Sequence, residues 1–134
     1  DGELDEGQNW EAIMSAPNLD IQRLILTVDW NGQQIDGPTK EVMDLGNLEA
    51  KFKAFKWQTL VLEEGNDIEA IIKTLNHAKE IAEPGKPVVI LMKTVMGKGV
   101  DFMEGHHEWH GVAPNDEQLA SALTQLGTTP LGDY

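Results

Sequence analysis

Asp1, Glu3 and Asp5 alternate through "DGELDEGQNWEA", an acidic, glycine-punctuated stretch whose oxygens suit a hard cation. Three readings of it stand open: a solvated surface turn, a calcium loop, or part of a cofactor-binding motif. The calcium-loop reading fits poorly, because glycine falls at the seventh position instead of the sixth and Ala12 stands where a bidentate acid belongs. Thirty positions beyond Asp1 comes Asn31, in "VDWNGQQIDG", with an amide oxygen of the same hard type. His106, His107 and His110 lie together in "HHEWH". Such a trio could ligate zinc, form part of a structural loop, or supply an imidazole for proton transfer.

The elements that must position these groups follow from apolar periodicity. A short helix is expected from Glu6 to Ala16, closed by Pro17, with Trp10, Ile13 and Met14 on one face. "RLILTVD", residues 23–29, reads as a strand covered on both faces. A turn-rich loop, a helix over 47–55 and the strand "QTLVLEEG" come next. Asn66 is expected to cap "NDIEAIIKTLNHAKEIA", with Glu69 completing a capping box and Ile68, Ile71, Ile72, Leu75 and Ala78 forming the buried stripe. "VVILMKT" is a third buried strand, and Asn115 caps a final amphipathic helix.

This alternation implies an α/β fold, a mostly parallel sheet with helices on both faces. Ligands of such sheets gather at the carboxyl ends of the strands. The loop after Asp29, the "EEGND" turn and the loop after Thr94 should therefore meet. A carboxylate from Asp1 and an amide oxygen from Asn31, at the mouths of neighbouring strands, would suit Mg2+, which favours octahedral oxygen ligands and phosphorylated companions.

Composition narrows the partners. The 134 residues carry 10 Lys plus Arg against 23 Asp plus Glu, a formal charge of −13, which repels nucleic acid. Cysteine is absent, so thiolate chemistry and disulfides are excluded. The longest apolar run, "VVILM", is far short of the roughly 20 residues of a membrane helix. A soluble, cytoplasmic protein with no membrane role is the expectation. His77 reads as a surface side chain, Asp36 as a turn residue, Lys98 as solvated or near an anion, and Trp10, Trp30, Trp57 and Trp109 as packing residues.

"DGE" followed at this spacing by Asn31 resembles the thiamine-diphosphate signature, whose opening glycine would precede Asp1. Together with "VDWNGQQIDGPT", "KTVMGKGVDFMEG" and "EWHGVAPND", it is similar to the second half of the N-terminal, diphosphate-binding domain of transketolase. The resemblance covers residues 1–126 and leaves 127–134 as a tail. It implies an incomplete thiamine-diphosphate-binding fold, a fragment of a longer enzyme or the N-terminal subunit of a split one.

By that resemblance, Asp1, the Asn31 side chain and the Gln33 backbone carbonyl would bind Mg2+, with Ca2+ able to substitute. Gly2 would admit the diphosphate to its backbone, while Ile35 and Met96 would enclose the cofactor rings. His110 would lie near the diphosphate as a cofactor-binding residue and would hydrogen-bond the ketose or assist proton transfer, and Glu6 would sit at a dimer interface. The implied reaction moves a two-carbon glycolaldehyde unit from a ketose phosphate to an aldose phosphate, chemistry of the pentose phosphate pathway. Missing transketolase segments or a partner subunit would supply the pyrimidine-binding domain, in a homodimer or heterotetramer, and this polypeptide alone would be inactive. A deoxyxylulose-phosphate synthase, a 2-oxo acid dehydrogenase component and a non-catalytic acidic binding domain are the competing readings.

Overall fold

Val88–Leu91 are fully buried in strand β5 (Val88–Lys93), and their alternation builds two cores at once. The computed structural model describes residues 1–21 and 23–127; the tail assigned to 127–134 lies, beyond Gly127, outside the described residues. β5 is the centre of a three-stranded parallel sheet, flanked by β1 (Ile25–Trp30) and β4 (Gln58–Leu62) in the order β1-β5-β4. The pairing register sets Asp29 opposite Met92 and Trp30 opposite Lys93. A two-stranded antiparallel ribbon, β2 (Gln33–Gln34) and β3 (Gly37–Pro38), follows β1 directly.

Odd-numbered β5 residues Val89 and Leu91 pack with Ile13 of α1 (Gly7–Ser15) and with Leu48 and Phe52 of α3 (Leu48–Ala54). Even-numbered Val88 and Ile90 pack with Ala78 of α4 (Ile68–Ile81), and with Leu62 and Ala82. Each such aliphatic side chain contributes about 1.5–3 kcal/mol by leaving water, so the central strand anchors both layers. Helices on both faces of a parallel sheet are thus present, as expected. A short α2 (Thr39–Val42) follows β3, and α5 (Asp116–Gln125) closes the described chain with the Asn115–Gln118 capping box.

The tryptophans pack. Trp57 Nε1 donates to the Ile13 carbonyl at 2.8 Å, Trp10 lies 5.8 Å from Phe52, and Trp109 lies 5.3 Å from Phe102. Trp30 is half-buried against the α1/α3 core, with the Lys93 ammonium 5.6 Å from its ring.

Four local expectations are corrected. β1 is not covered on both faces: it is an edge strand among the described residues, and only Val28 is buried, while Asp29 is exposed. Asp67, not Asn66, caps α4, its side chain accepting from Ala70 N at 2.7 Å; Asn66 Oδ1 is already taken by Val95 N. The contact stripe of α4 runs through Ile71, Leu75 and Ala78, leaving Ile68 and Ile72 exposed at 65% and 53%, because one residue's step turns a helix by about 100°. Met14 is likewise exposed on α1. Among the described residues, no helix is long and apolar enough to cross a membrane.

Candidate cofactor and metal site

At the carboxyl end of β1 the chain turns sharply through Asn31 and Gly32 into β2, and this turn receives Asp1. The Asp1 backbone nitrogen donates to the Asp29 carbonyl at 2.5 Å, and Asp1 Oδ2 accepts from Gly32 N at 3.1 Å. Asn31 Oδ1 accepts from Gln33 N at 2.8 Å, which folds the amide back over the turn. The Asp1 carboxylate is therefore seated on the segment that joins Asn31 to Gln33.

Residues 2–5 form a turn of 3-10 helix instead of a calcium loop. This turn brings Gly2 against β2: a Cβ on Gly2 would lie 2.7 Å from Gln34 Cβ, so only glycine fits without a shift. Glu6 follows at the N-cap of α1, exposed.

The three loops expected to meet do so. Gly65 N donates to the Lys93 carbonyl at 2.8 Å, and Asn66 Oδ1 accepts from Val95 N at 2.7 Å, fixing the turn after β4 to the segment leaving β5. A Cβ on Gly65 would sit 2.4 Å from the Lys93 oxygen, so the approach requires glycine. The Thr94 hydroxyl in turn donates to Asp29 Oδ1.

Between Asp1, the β1–β2 turn and the histidine segment lies an open cleft of about 520 Å³. Of the residues singled out in the sequence, Asp1, Gly2, Glu6, Asn31, Gln33, Ile35 and His110 all line it; Met96 does not. Met96 is half-buried in the neighbouring loop, its carbonyl accepting from Gly105 N at 2.8 Å. Ile35 is 72% exposed, an apolar side chain standing free at the cleft. Glu3 and Asp5, offered by the sequence only as oxygens of a calcium loop, also line the cleft, as do Asp29, Gln34 and Asp36, to which sequence reasoning gives no ligand role. For Asp29 the signal exists: it is the acid that ends an apolar strand at its carboxyl end.

Asp1 Oδ1, Asp5 Oδ1 and Gln34 Oε1 are buried without hydrogen-bond partners, and all three residues line this cleft. A buried carboxylate oxygen left unpaired is costly unless a cation or donor meets it. The donors at hand, a carboxylate, an amide oxygen and a backbone carbonyl, are hard oxygens that suit a divalent ion. Gly2 leaves its backbone bare for a phosphorylated ligand. The residues present therefore fit a metal-bound diphosphate.

Zinc at the histidine trio gains no support. Among the described residues no three His, Cys, Asp or Glu side chains come together to hold a metal. His106 and His107 Nδ1 instead lie 3.9 and 3.5 Å from Glu108 Oε2, and His110 alone of the three reaches the cleft. Lys98 Nζ lies 3.4 Å from Glu104 Oε1, outside the cleft lining.

A parallel α/β sheet with an oxygen-rich cleft at the carboxyl ends of its strands defines the class of α/β domains that hold ligands at that edge. The family model for the transketolase thiamine diphosphate binding domain matches residues 1–134, and the chain belongs to that family. Similar proteins include an apulose-4-phosphate transketolase subunit from Actinobacillus succinogenes, 37% identical over 94% of this chain and 44% of that one. Another is the 6-deoxy-6-sulfo-D-fructose transketolase subunit SqwG of a Clostridium species, 39% identical over 94% of this chain and 45% of its own. The chain thus spans less than half the length of these relatives. Among solved structures, Campylobacter jejuni transketolase superimposes with a TM-score of 0.82 at 33% identity, over 93% of this chain and 19% of its own. Transketolase of Pichia stipitis in complex with sedoheptulose 7-phosphate gives 0.82 at 30% identity, over 92% and 18%.

Proposed function

We propose that this chain forms the diphosphate- and metal-holding part of a transketolase, residues 1–126 being the second half of the diphosphate-binding domain. The observation that carries the reading is the Asp1 carboxylate, docked by one oxygen on the Asn31–Gln33 turn while the other is buried and unpaired. Asp1, the Asn31 side chain and the Gln33 carbonyl hold Mg2+, or Ca2+ in its place. Gly2 lets the diphosphate reach the backbone. Ile35 provides an apolar wall for the cofactor rings, and Met96 adds to the enclosure from the adjoining loop.

Thiamine diphosphate, when bound, supplies the nucleophilic carbon for two-carbon transfer between sugar phosphates. The chain's own work is to bind, orient and exchange protons. An imidazole nitrogen of His110, at the cleft wall, accepts or returns a proton at a substrate hydroxyl oxygen. Among the described residues, the cleft lining holds six acids and His110 but no Lys or Arg, so the phosphate of a sugar must be met by basic groups from elsewhere. That electrostatic deficit supports a dependence on further transketolase segments or a partner subunit, including the pyrimidine-binding domain, assembled as a homodimer or heterotetramer with Glu6 at the junction.

Thiamine diphosphate titrated into the intact assembly, with and without Mg2+, tests this. Binding should require the divalent ion and be lost on its chelation, and ketol transfer should be absent from the isolated 134-residue chain. Metal-independent binding, or transfer by rigorously purified chain alone, would sink the reading.

A further inference from the structure

Asp29 joins three separate segments at the site. Its backbone oxygen accepts from Asp1 N, its Oδ1 accepts from the Thr94 hydroxyl, and its Oδ2 accepts from Asn31 Nδ2 at 3.3 Å. The register explains the meeting. Asp29 pairs with Met92, and Thr94, two residues further along β5's path, has the same side-chain parity and so the same face.

The Asn31 amide is held at both ends. An amide presents an acceptor at one end and donors at the other, and a half-turn of the side chain exchanges them. Here the backbone N–H of Gln33 demands the oxygen, and the Asp29 carboxylate demands the NH2 group. Without Asp29, only one bond would oppose a flip that presents two N–H donors where a cation needs a lone pair. A carboxylate alone on an exposed strand end would itself turn freely; the Thr94 hydroxyl fixes it.

We propose that Asp29, held by Thr94, is a positioning residue that orients the Asn31 amide so that its oxygen faces the cation. Asp29 acts through Asn31 and is not itself a metal ligand. This rests on the assignment of Asn31 as a ligand and names the side chains that make it one. The role differs from simple charge, since a neutral Asn at position 29 keeps an acceptor for Asn31 Nδ2 and a donor for Thr94 Oγ.

The test uses Mn2+ as the probe ion, its affinity read by electron paramagnetic resonance in the intact enzyme containing this chain, with thiamine diphosphate present. Asp29→Ala should weaken Mn2+ binding by about 10–100-fold, the range for losing an outer-shell partner. Asp29→Asn should restore most of it. Thr94→Val should weaken binding in the same direction as Asp29→Ala, and Thr94→Ser should not. Melting of each variant without metal separates this from a folding defect: Asn and Ala variants of equal melting temperature but unequal affinity support orientation.

Equal losses in Asp29→Ala and Asp29→Asn would overturn the proposal by making the charge itself the agent. Unchanged affinity in Asp29→Ala, with Asn31→Ala and Asp1→Ala still defective, would overturn it while sparing the site. Indifference of Mn2+ binding to Asn31→Ala and Asp1→Ala would overturn both.

Discussion

The Asp1 carboxylate accepts a hydrogen bond from Gly32 N at 3.1 Å, 31 positions away in sequence, and this contact sets an acid beside a turn that also carries an amide oxygen and backbone carbonyls. If these oxygens share one ion, removing either side chain should cost more than an outer-shell change does, so Asp1→Ala and Asn31→Ala should each weaken metal-dependent thiamine diphosphate binding by more than about 100-fold. Calorimetric titration of the intact assembly checks this.

Gly2 faces Gln34 with no space for a methyl group, since a Cβ there would lie 2.7 Å from Gln34 Cβ. Gly2→Ala should destabilise the protein by about 1–3 kcal/mol, the usual cost of overpacking. Diphosphate binding should weaken with it. Adding Gln34→Gly, which removes the obstructing carbon, should recover part of the stability in a denaturant melt.

Asn66 and Asp67 are neighbours with separate tasks. Asp67→Ala should cost about 1 kcal/mol by uncapping α4 and should lower its helicity by circular dichroism. Asn66→Ala should leave α4 intact but free the Val95 amide, seen as faster hydrogen exchange at that position. Loss of helicity in the Asn66 variant would return the cap to Asn66.

His110 shares one cleft with the Asp1 carboxylate. In the complete enzyme His110→Ala should lower kcat by about 100-fold or more, the range for a lost acid–base group. Steady-state kinetics on a ketose phosphate donor and an aldose phosphate acceptor would reveal it.

Glu104 braces the glycine-rich loop. Gly99 N donates to its Oε2 at 3.1 Å, and this bond, with Lys98 nearby, holds its carboxyl below the ordinary glutamate range. A depressed folded-state pKa means stabilisation present at neutral pH, which declines as pH falls below about 4.3 and through the folded value. The protection of the Gly99 amide, its exchange rate taken relative to the intrinsic rate at each pH, should therefore fall in acid, and Glu104→Gln should flatten that dependence.

The order of helices and strands is legible because side-chain period is a local property. "VVILMKT" reads as a buried strand by its length and β-branched content, and Asn115 reads as the cap of a helix that in the fold also carries the Gln118 capping box. The cap of α4 is not legible in the same way: Asn66 and Asp67 are both good caps, and only the approach of Val95 occupies one of them. The exposure of Ile68 and Ile72 escapes a sequence reading because composition marks a helix as amphipathic without giving the rotation that the sheet selects.

Residue types and spacing by themselves determined the α/β alternation, the absence of thiol chemistry, the acidic balance and the candidate oxygen donors Asp1 and Asn31. The tertiary structure alone decided which of these groups meet. It put His110 at the cleft and Met96 in the adjoining loop, left an Asp1 oxygen unpaired, and joined Asp29 to Thr94 across the β1–β5 register. Hydrogen bonds between strand ends depend on how separate strands align in space, and no local periodicity carries that alignment.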